Sequence, residues 1–380
     1  MIAQYIIDWG YVRQKIQNAQ TDSDYDLIRQ NLKRIRKAIE SNGVLFCDRK
    51  GSTLRELIVA LKELRQDGDQ VIPVWQKLFD ELDSCRKLYE KKRILLNICE
   101  ESSDSLVKAR DAFMAKANLD SYDLPYVYIS SNKQAGAFSL SLEEYEDSDV
   151  EKKRERWSRL SFTKDDEAEA DNYWAALSVG ASAFGDVQLF DPFCLSIVFR
   201  HDPKANLGNW TASIEKIASF FVRNSAVKSI TFVGELDDVV NRQIHLDELR
   251  NIFTKTMAKR HQHRDEGITC AICTKKIGSQ WHNRWLEIGV AQCACDDGFE
   301  LYERESESKP IHIRKTFGVG VMGCDREPER KEAKELPCHS YRDLCQACGN
   351  GTRIIGFRLD KIKPQSQNLL VEFVIDLPAM

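Results

Sequence analysis

The sequence predicts an α/β protein in which a small N-terminal α/β domain is followed by a mixed-sheet α/β domain with a cysteine-rich insertion. Three observations lead to this prediction. Short β-prone runs alternate with segments whose apolar residues recur at helical spacing. A highly charged stretch at residues 143–171 interrupts the alternation and favours a solvated boundary between two domains. Beyond residue 268, β-prone runs follow one another closely, which is typical of a mixed sheet.

Composition excludes several classes of protein. The chain has 380 residues, 42% of them hydrophobic and 30% charged, so it can bury a core and is neither disordered nor a small disulfide scaffold. Its 55 basic and 59 acidic residues give a net charge of −4, which excludes a strongly basic coat but not a local basic groove. No apolar run reaches the roughly 18 residues of a membrane helix, and Asp8 interrupts the apolar start where a signal peptide would continue. We therefore expect a soluble cytoplasmic protein without membrane contact, whose 12 cysteines stay reduced.

The first predicted domain covers residues 1 to about 160. Residues 2–7 form a β-prone run, and residues 25–40 have apolar positions at helical spacing up to the stop at Gly43. Thr53 and Glu56 have the spacing of a capping box, which predicts that another helix begins there. The other predicted elements are strands at 44–47 and 126–129 and helices at 53–65, 74–91 and 103–117.

The second predicted domain covers residues from about 165 to 380. Turn-forming residues are frequent at 200–209, which predicts a loop before a helix at 213–223. The remaining predicted helices are at 167–183 and 246–260, and the predicted strands are at 187–190, 229–233, 268–273, 281–288, 299–302, 311–313, 353–359 and 370–375.

The strand predicted at 281–288 has a pattern suited to phosphate chemistry. Strand alternation places His282 and Arg284 on one face, together with Leu286. An imidazole can attack phosphorus or transfer a proton, and a guanidinium can bind two phosphate oxygens at once. The same pattern also fits an exposed strand face, or a histidine in a structural hydrogen-bond network.

The order of three short motifs resembles the phospholipase D-like superfamily, in particular its degenerate members with a His-x-Arg strand. The motifs lie at residues 190–193 (FDPF), 282–284 (HNR) and 298–301 (GFEL), separated by helices and strands, and the resemblance covers about 167–377. Enzymes of this superfamily carry His-x-Lys followed four residues later by Asp. Here Arg284 replaces the lysine, Ile288 stands at the position of the acid, and the downstream Gly-Ser pair is missing.

The resemblance implies a phosphate-handling fold. Our first hypothesis is that this domain is a nucleic-acid phosphodiesterase or an effector that binds nucleic acid without turnover. His282 would be the nucleophile or general base and Arg284 the phosphate clamp, with His312 and Arg314 as a second, assisting motif. Active members pair two motifs, within a chain or across a dimer. If a single-motif site is active here, pairing across a two-fold axis is expected, so a homodimer is a prediction linked to activity. Degenerate bacterial relatives imply a setting in phage defence. The missing lysine and acid favour an alternative, a catalytically inactive module that binds a protein partner or a ligand.

Cysteines are concentrated near the C-terminus, where eight of the 12 follow residue 269. Cys345 and Cys348 have the spacing of a zinc knuckle, and Cys324, Cys338 and His339 are close enough in sequence to complete a tetrahedral shell. A zinc ion with four such ligands would be structural, because no coordination position stays open for water. The same cysteines are also compatible with small buried hydrophobic residues.

Two aspartates of the first domain suggest a further hypothesis. Asp8 ends the first predicted strand and Asp48 follows the second, and the carboxyl ends of strands in α/β sheets are where ligands collect. A pair of carboxylates can hold Mg²⁺, and the arrangement resembles PIN-like ribonucleases. Asp48 also suits a turn.

Overall fold

The computed structural model describes residues 3–48, 51–66, 73–90, 95–99, 103–124, 126–134, 137–145, 148–150, 152, 159–183, 185–191, 203–224, 226–234, 268–274, 284–288, 291–295, 298–306, 308–322, 353–359 and 371–376. The chain divides into two compact units, Met1–Ser158 and Arg159–Met380. Both units contain helices and sheets, which confirms the mixed α/β class. No helix in these ranges is long and apolar enough to cross a membrane.

Unit 1 is built on a five-stranded parallel sheet with the strand order β3-β2-β1-β4-β5. The strands are β1 (Ala3–Ile7), β2 (Gly43–Asp48), β3 (Leu95–Cys99), β4 (Tyr126–Ile129) and β5 (Ala137–Leu140). The helices are α1 (Trp9–Asn18), α2 (Asp22–Asn42), α3 (Ser52–Gln66), α4 (Pro73–Glu90) and α5 (Ser103–Lys116).

Several elements of unit 1 differ from the sequence predictions. Helix α1 and strands β3 and β5 were not predicted; α1 is short, although its buried Val12 and Ile16 are four residues apart. The predicted capping box is wrong, because α3 begins at Ser52. The Asp48 carboxylate holds this helix start, accepting hydrogen bonds from the backbone N–H of Thr53 and from the Ser52 hydroxyl.

The two faces of the unit 1 sheet are covered differently. One face forms a continuous apolar core with the first four helices, and Tyr5 and Val127 are fully buried in it. The other face meets α5, whose Arg110 is buried and donates hydrogen bonds to the Gln4 side chain at 2.7 Å and the Leu124 carbonyl at 2.8 Å. These bonds compensate a cation that would otherwise be costly to bury.

Unit 2 contains a nine-stranded mixed sheet with the order β16-β15-β9-β8-β7-β10-β11-β14-β6 and a small two-stranded sheet of β12 and β13. Strands β7, β8 and β9 are parallel to one another, and the other neighbouring pairs are antiparallel. The strands are β6 (Arg159–Phe162), β7 (Asp186–Phe190), β8 (Ser229–Gly234), β9 (Ile268–Thr274), β10 (Trp285–Ile288), β11 (Ala291–Cys295), β12 (Tyr302–Glu303), β13 (His312–Ile313), β14 (Phe317–Met322), β15 (Arg353–Leu359) and β16 (Val371–Asp376). The helices are α6 (Glu167–Ser182) and α7 (Pro203–Arg223).

Two predictions for the second half are corrected. The predicted loop at 200–209 is wrong over its described part, because α7 begins at Pro203, a residue suited to the first helical position since it has no N–H to satisfy. The charged stretch at 143–171 is not simply a solvated linker: Tyr145 and Val150 are buried in unit 1, and β6 lies inside the stretch. The predicted helix at 246–260 lies outside the described residues.

Candidate functional site

The topology of the unit 2 sheet creates one distinctive edge. Strands β7, β8 and β9 are parallel, so their carboxyl ends lie at the same edge. The chain proceeds from β7 to β9 on one side, and then returns so that β10 lies on the other side of β7. The strand order therefore reverses between β7 and β10, and such reversal points commonly bind ligands in α/β sheets.

Asp191 and Arg284 face each other at this reversal point. Asp191 directly follows β7, and the antiparallel register pairs Phe190 with Trp285, so that Arg284 comes opposite Asp191. The Arg284 Nε atom lies 3.7 Å from Asp191 Oδ1. Asp191 is only 2% exposed, whereas 24% of the Arg284 side chain is exposed. The pair thus combines a buried carboxylate with a guanidinium that reaches the surface.

The segment after β11 completes this arrangement. The Phe299 N–H donates a hydrogen bond to Asp191 Oδ2 at 3.1 Å. Gly298 has φ +75°, and a Cβ added there would lie 2.8 Å from Arg284 Cδ and 3.2 Å from Asp191 Oδ2. Only glycine permits this backbone to come so close. We call Asp191, Arg284, Gly298 and Phe299 the arginine site; it joins all three sequence motifs.

A buried network anchors the segment that follows. Ser213 on α7 accepts a hydrogen bond from the Tyr302 N–H at 2.9 Å and donates one to the Tyr302 carbonyl at 3.2 Å. Trp174 on α6 donates its indole N–H to the Tyr302 hydroxyl at 2.7 Å. Burial raises the pKa of Tyr302, which therefore stays a neutral phenol. The helices of unit 2 thereby fix the backbone that follows Phe299 of the arginine site.

The second predicted motif lies beside the same segment. The Arg314 guanidinium forms an ion pair with Glu300, and its backbone N–H donates to the Leu301 carbonyl at 2.8 Å. His312 is exposed, with Nδ1 3.0 Å from the Glu167 carboxylate at the start of α6. Arg284 and Arg314 thus contact neighbouring residues of one segment, whereas His312 contacts α6.

Each basic candidate residue that the structure describes in unit 2 faces a carboxylate. The pairs are Arg284 with Asp191, Arg314 with Glu300, and His312 with Glu167. Carboxylates orient the cations and also reduce the local positive potential. The arrangement therefore favours directed binding of an anionic group over general attraction of a polyanion.

Other predicted site residues lie outside the described part of the chain. They are His282, Cys324, Cys338, His339, Cys345 and Cys348. Among the residues that the structure does describe, no group of three or more His, Cys, Asp or Glu side chains is arranged to hold a metal ion. Cys293 is a core thiol, 2.6 Å from the Tyr173 hydroxyl, and burial raises its pKa to about 11, which keeps it protonated at neutral pH.

Unit 1 has a polar cluster at the corresponding edge of its own sheet. Its strand order reverses between β1 and β4, whose carboxyl ends carry Asp8 and Ser130. The Ser130 hydroxyl donates to Asp8 Oδ2 at 3.1 Å, and Asp8 Oδ1 accepts the Tyr11 N–H at 3.0 Å, capping α1. Asp48 ends the neighbouring strand β2 and is buried. We call Asp8, Asp48 and Ser130 the aspartate row.

The aspartate row includes a residue that the sequence analysis missed. Ser130 follows its strand directly, as Asp8 follows β1, and this shared position was the available signal. Burial raises the pKa of Asp48, although hydrogen bonds from Thr53 and Ser52 act in the opposite direction. The row brings carboxylates together, whereas the arginine site pairs a carboxylate with a guanidinium.

Comparison with known proteins does not identify a relative. No protein-family model matches the chain, and no curated protein has a significantly similar sequence.

Proposed function

We propose that the protein binds nucleic-acid phosphodiesters at the arginine site and cleaves them, as a degenerate phospholipase D-like domain. The observation that supports this proposal is the meeting of three motifs, distant in sequence, at the reversal point of the unit 2 sheet. The guanidinium of Arg284 carries five N–H donors in one plane, so it can contact Asp191 through one edge and phosphate oxygens through another.

The proposed reaction uses His282 as the nucleophile. Its imidazole nitrogen forms a bond to phosphorus while the bond from phosphorus to the leaving oxygen breaks, and a general acid protonates that oxygen. Water then attacks the phosphorus of the phosphohistidine and gives a proton to the group that acted as the acid, while the bond between nitrogen and phosphorus breaks. This step releases a phosphate monoester and restores both side chains. His312 is the proposed acid and Arg314 an assisting cation, acting within the chain or from a second copy in a homodimer.

A cleavage assay on DNA and RNA tests the proposal, in EDTA and with added Mg²⁺. We expect EDTA-resistant cleavage that is lost in His282→Ala and Arg284→Ala. Arg13→Ala, which removes an exposed arginine of unit 1, serves as the control and should cleave normally. Binding without turnover in every condition, unchanged by Arg284→Ala, would instead identify an inactive module that recognises a protein or ligand.

A second candidate function is metal-dependent cleavage by unit 1. The observation that favours it is the aspartate row at the reversal point of the parallel sheet. Mg²⁺ commonly keeps several waters and binds through one or two carboxylates, so Asp8 and Asp48 suffice in chemical type. This candidate predicts cleavage that needs Mg²⁺, is lost in Asp8→Asn and is unaffected by His282→Ala.

We also propose that Cys324, Cys338, Cys345 and Cys348 bind a structural zinc ion. Their residue types and spacing support this proposal. Elemental analysis of protein purified without added metal should find one zinc per chain, and Cys345→Ser should lose it. A stable wild-type protein without zinc would contradict the assignment.

A further inference from the structure

We propose that Asp191 is a positioning residue for Arg284: its carboxylate sets the direction of the guanidinium and does not itself contact the ligand. This inference rests on the proposed function, because it takes Arg284 as the group that binds the phosphate. It adds a residue that belongs to neither His-x-Arg motif.

The two oxygens of Asp191 have different partners. Oδ2 accepts the Phe299 N–H at 3.1 Å, which fixes the plane of the carboxylate. Oδ1 faces the Nε side of Arg284 at 3.7 Å. At this distance the contact is an ion pair rather than a hydrogen bond, so Asp191 attracts the Nε edge of the guanidinium by charge. Because the guanidinium is rigid and planar, attraction at this edge also influences where its terminal N–H groups point. Burial of Asp191 keeps water from competing for the same oxygens.

Gly298 restricts the position of the Arg284 side chain by close contact with its aliphatic part. The position that a Cβ would occupy is 2.8 Å from Arg284 Cδ, so the aliphatic stem lies directly against the glycine backbone. The stem is therefore confined by Gly298, while the head group is oriented by Asp191. An added methyl group at residue 298 would disturb Arg284 without altering the charge of the site.

The negative charge of Asp191 allows two roles to be told apart: orienting Arg284 and attracting a phosphate to the site. A carboxylate beside the binding arginine repels a phosphate, so a site selected for attraction alone would be better without it. In Asp191→Asn the guanidinium of Arg284 is no longer oriented, which weakens its contacts with the transition state. The asparagine also no longer repels the phosphate, which offsets weaker binding of the substrate. We therefore expect kcat to fall about tenfold, the effect of roughly 1.4 kcal/mol, with little change in KM.

The experiment combines kinetics with the ¹⁵N–¹H resonance of Arg284 Nε, assigned from its absence in Arg284→Lys. Asp191→Asn should shift or broaden this resonance and lower kcat. In the double variant Asp191→Asn with Arg284→Ala, activity should equal that of Arg284→Ala alone, because the two residues act through one group. Asp165→Asn, at an exposed aspartate of the same unit, is the control.

A glycine pair provides an independent test. Gly298 and Gly185 both have positive φ, so alanine strains the backbone at each. At Gly185 the nearest atom to an added Cβ is 3.6 Å away, an ordinary contact. Only Gly298→Ala should therefore shift the Arg284 resonance and lower kcat, in the fraction that stays folded.

Arg284→Lys keeps the test decisive if substitutions at Asp191 or Gly298 prevent folding. Lysine keeps the charge at a partly exposed side chain but loses the planar group that Asp191 orients. Lysine also restores the His-x-Lys pattern of the superfamily that the sequence resembles, so charge alone predicts unchanged or higher activity. The positioning role predicts a lower kcat, because lysine has no planar group for Asp191 to orient, and near-wild-type activity would overturn it.

The outcomes distinguish this inference from the proposed function. A resonance that moves in Asp191→Asn, in a protein that neither binds nor cleaves nucleic acid, supports positioning and contradicts the function. Activity that depends on Arg284, with neither resonance nor kcat changed in Asp191→Asn, supports the function and overturns positioning. Additive losses in the double variant also overturn positioning.

Discussion

The two units place polar side chains at the same topological position but with opposite chemical character. In unit 1 the reversal point carries the aspartate row, in which Asp8 accepts a hydrogen bond from Ser130. In unit 2 it carries the arginine site, in which a buried carboxylate contacts a guanidinium. In both units the polar residues thus lie where the strand order reverses, at the carboxyl ends of β1 and β7, while the charges of the side chains there differ between the units.

The carboxylates at these positions also have different structural roles in the two units. Asp8 caps α1, and Asp48 holds the start of α3, so both stabilise helices whether or not a ligand binds. Asp191 caps no described helix; its contacts join a strand end to Arg284 and to the segment after β11. Substitutions at Asp8 and Asp48 therefore affect helix stability together with any chemistry, whereas a substitution at Asp191 affects its contacts with Arg284 and Phe299.

The largest expected effect is on cleavage: a substitution in the arginine site and one in the aspartate row should respond differently to the removal of metal. In EDTA, Arg284→Ala should lower cleavage by about a hundredfold, because it removes charge-assisted hydrogen bonds of about 1.5–3 kcal/mol. Asp8→Asn should leave this activity unchanged. Quantified cleavage of a labelled oligonucleotide checks both variants. The opposite pattern, dependence on Mg²⁺ and on Asp8, would move catalysis to unit 1 and reverse the comparison.

The next effect concerns stability of the unit 2 core. Tyr302→Phe removes the acceptor of the buried Trp174 N–H and should cost about 1–3 kcal/mol in the free energy of unfolding, measured in urea. Tyr25→Phe is a suitable comparison in unit 1, because the Tyr25 hydroxyl donates to the Ala19 carbonyl in a half-buried position. It should cost less. Equal losses would show that burial of this hydrogen bond is unimportant.

Substitutions at Asp8 separate capping from ligand binding. Asp8→Ala should destabilise the protein by about 1 kcal/mol because α1 loses its cap, whereas asparagine caps equally well and should not. Both variants should lose any Mg²⁺ binding, measured by calorimetry. Asp120→Asn, at an exposed aspartate of unit 1, is the control and should change neither stability nor Mg²⁺ binding. Unchanged Mg²⁺ binding in Asp8→Asn would remove the aspartate row as a metal site.

The smallest effect is a pH dependence at Asp48. Burial raises the pKa of Asp48 in the folded protein above its unfolded value, so folding is favoured where Asp48 is protonated. This contribution is complete below the unfolded pKa and is lost as the pH rises through the folded pKa. Asp48→Asn stays neutral and keeps hydrogen-bonding capacity, so at pH 7 it should slightly raise the free energy of unfolding.

Thermal unfolding across the acidic range checks the Asp48 prediction. The gain from Asp48→Asn should shrink as the pH falls, because the wild-type side chain then becomes neutral as well. A gain that grows on acidification would mean that the charged form is favoured in the folded state.

The sequence was most informative where local signals were strong. Strand β4 lies where residues 126–129 predicted it, and the predicted helices at 74–91 and 103–117 end within one residue of α4 and α5. Strand β11 was missed because its sequence AQCAC contains no β-branched or aromatic residue, and β14 because glycine alternates with its phenylalanine and valines. Pairing with neighbouring strands holds both in the sheet.

The candidate sites show a similar limit. Arg284 and residues 298–301 were recognised as motifs from the sequence, but the role of Asp191 depends on β10 returning beside β7. No local pattern encodes that pairing, because it joins segments separated by two further strands. Ser130 was missed for the same reason: its position beside Asp8 follows from the parallel pairing of β1 with β4.

The edge strand β6 has a consequence for the order in which unit 2 assembles. Its pairing partner is β14, and Phe162 lies opposite Phe317, so the first strand of the unit pairs with one made much later during synthesis. Non-local pairings of this kind form slowly, since a long loop must close before the contact is gained. During synthesis on the ribosome, β6 therefore appears before the strand with which it pairs. The β6–β14 pair at this edge of the sheet can form only after β14 has been translated.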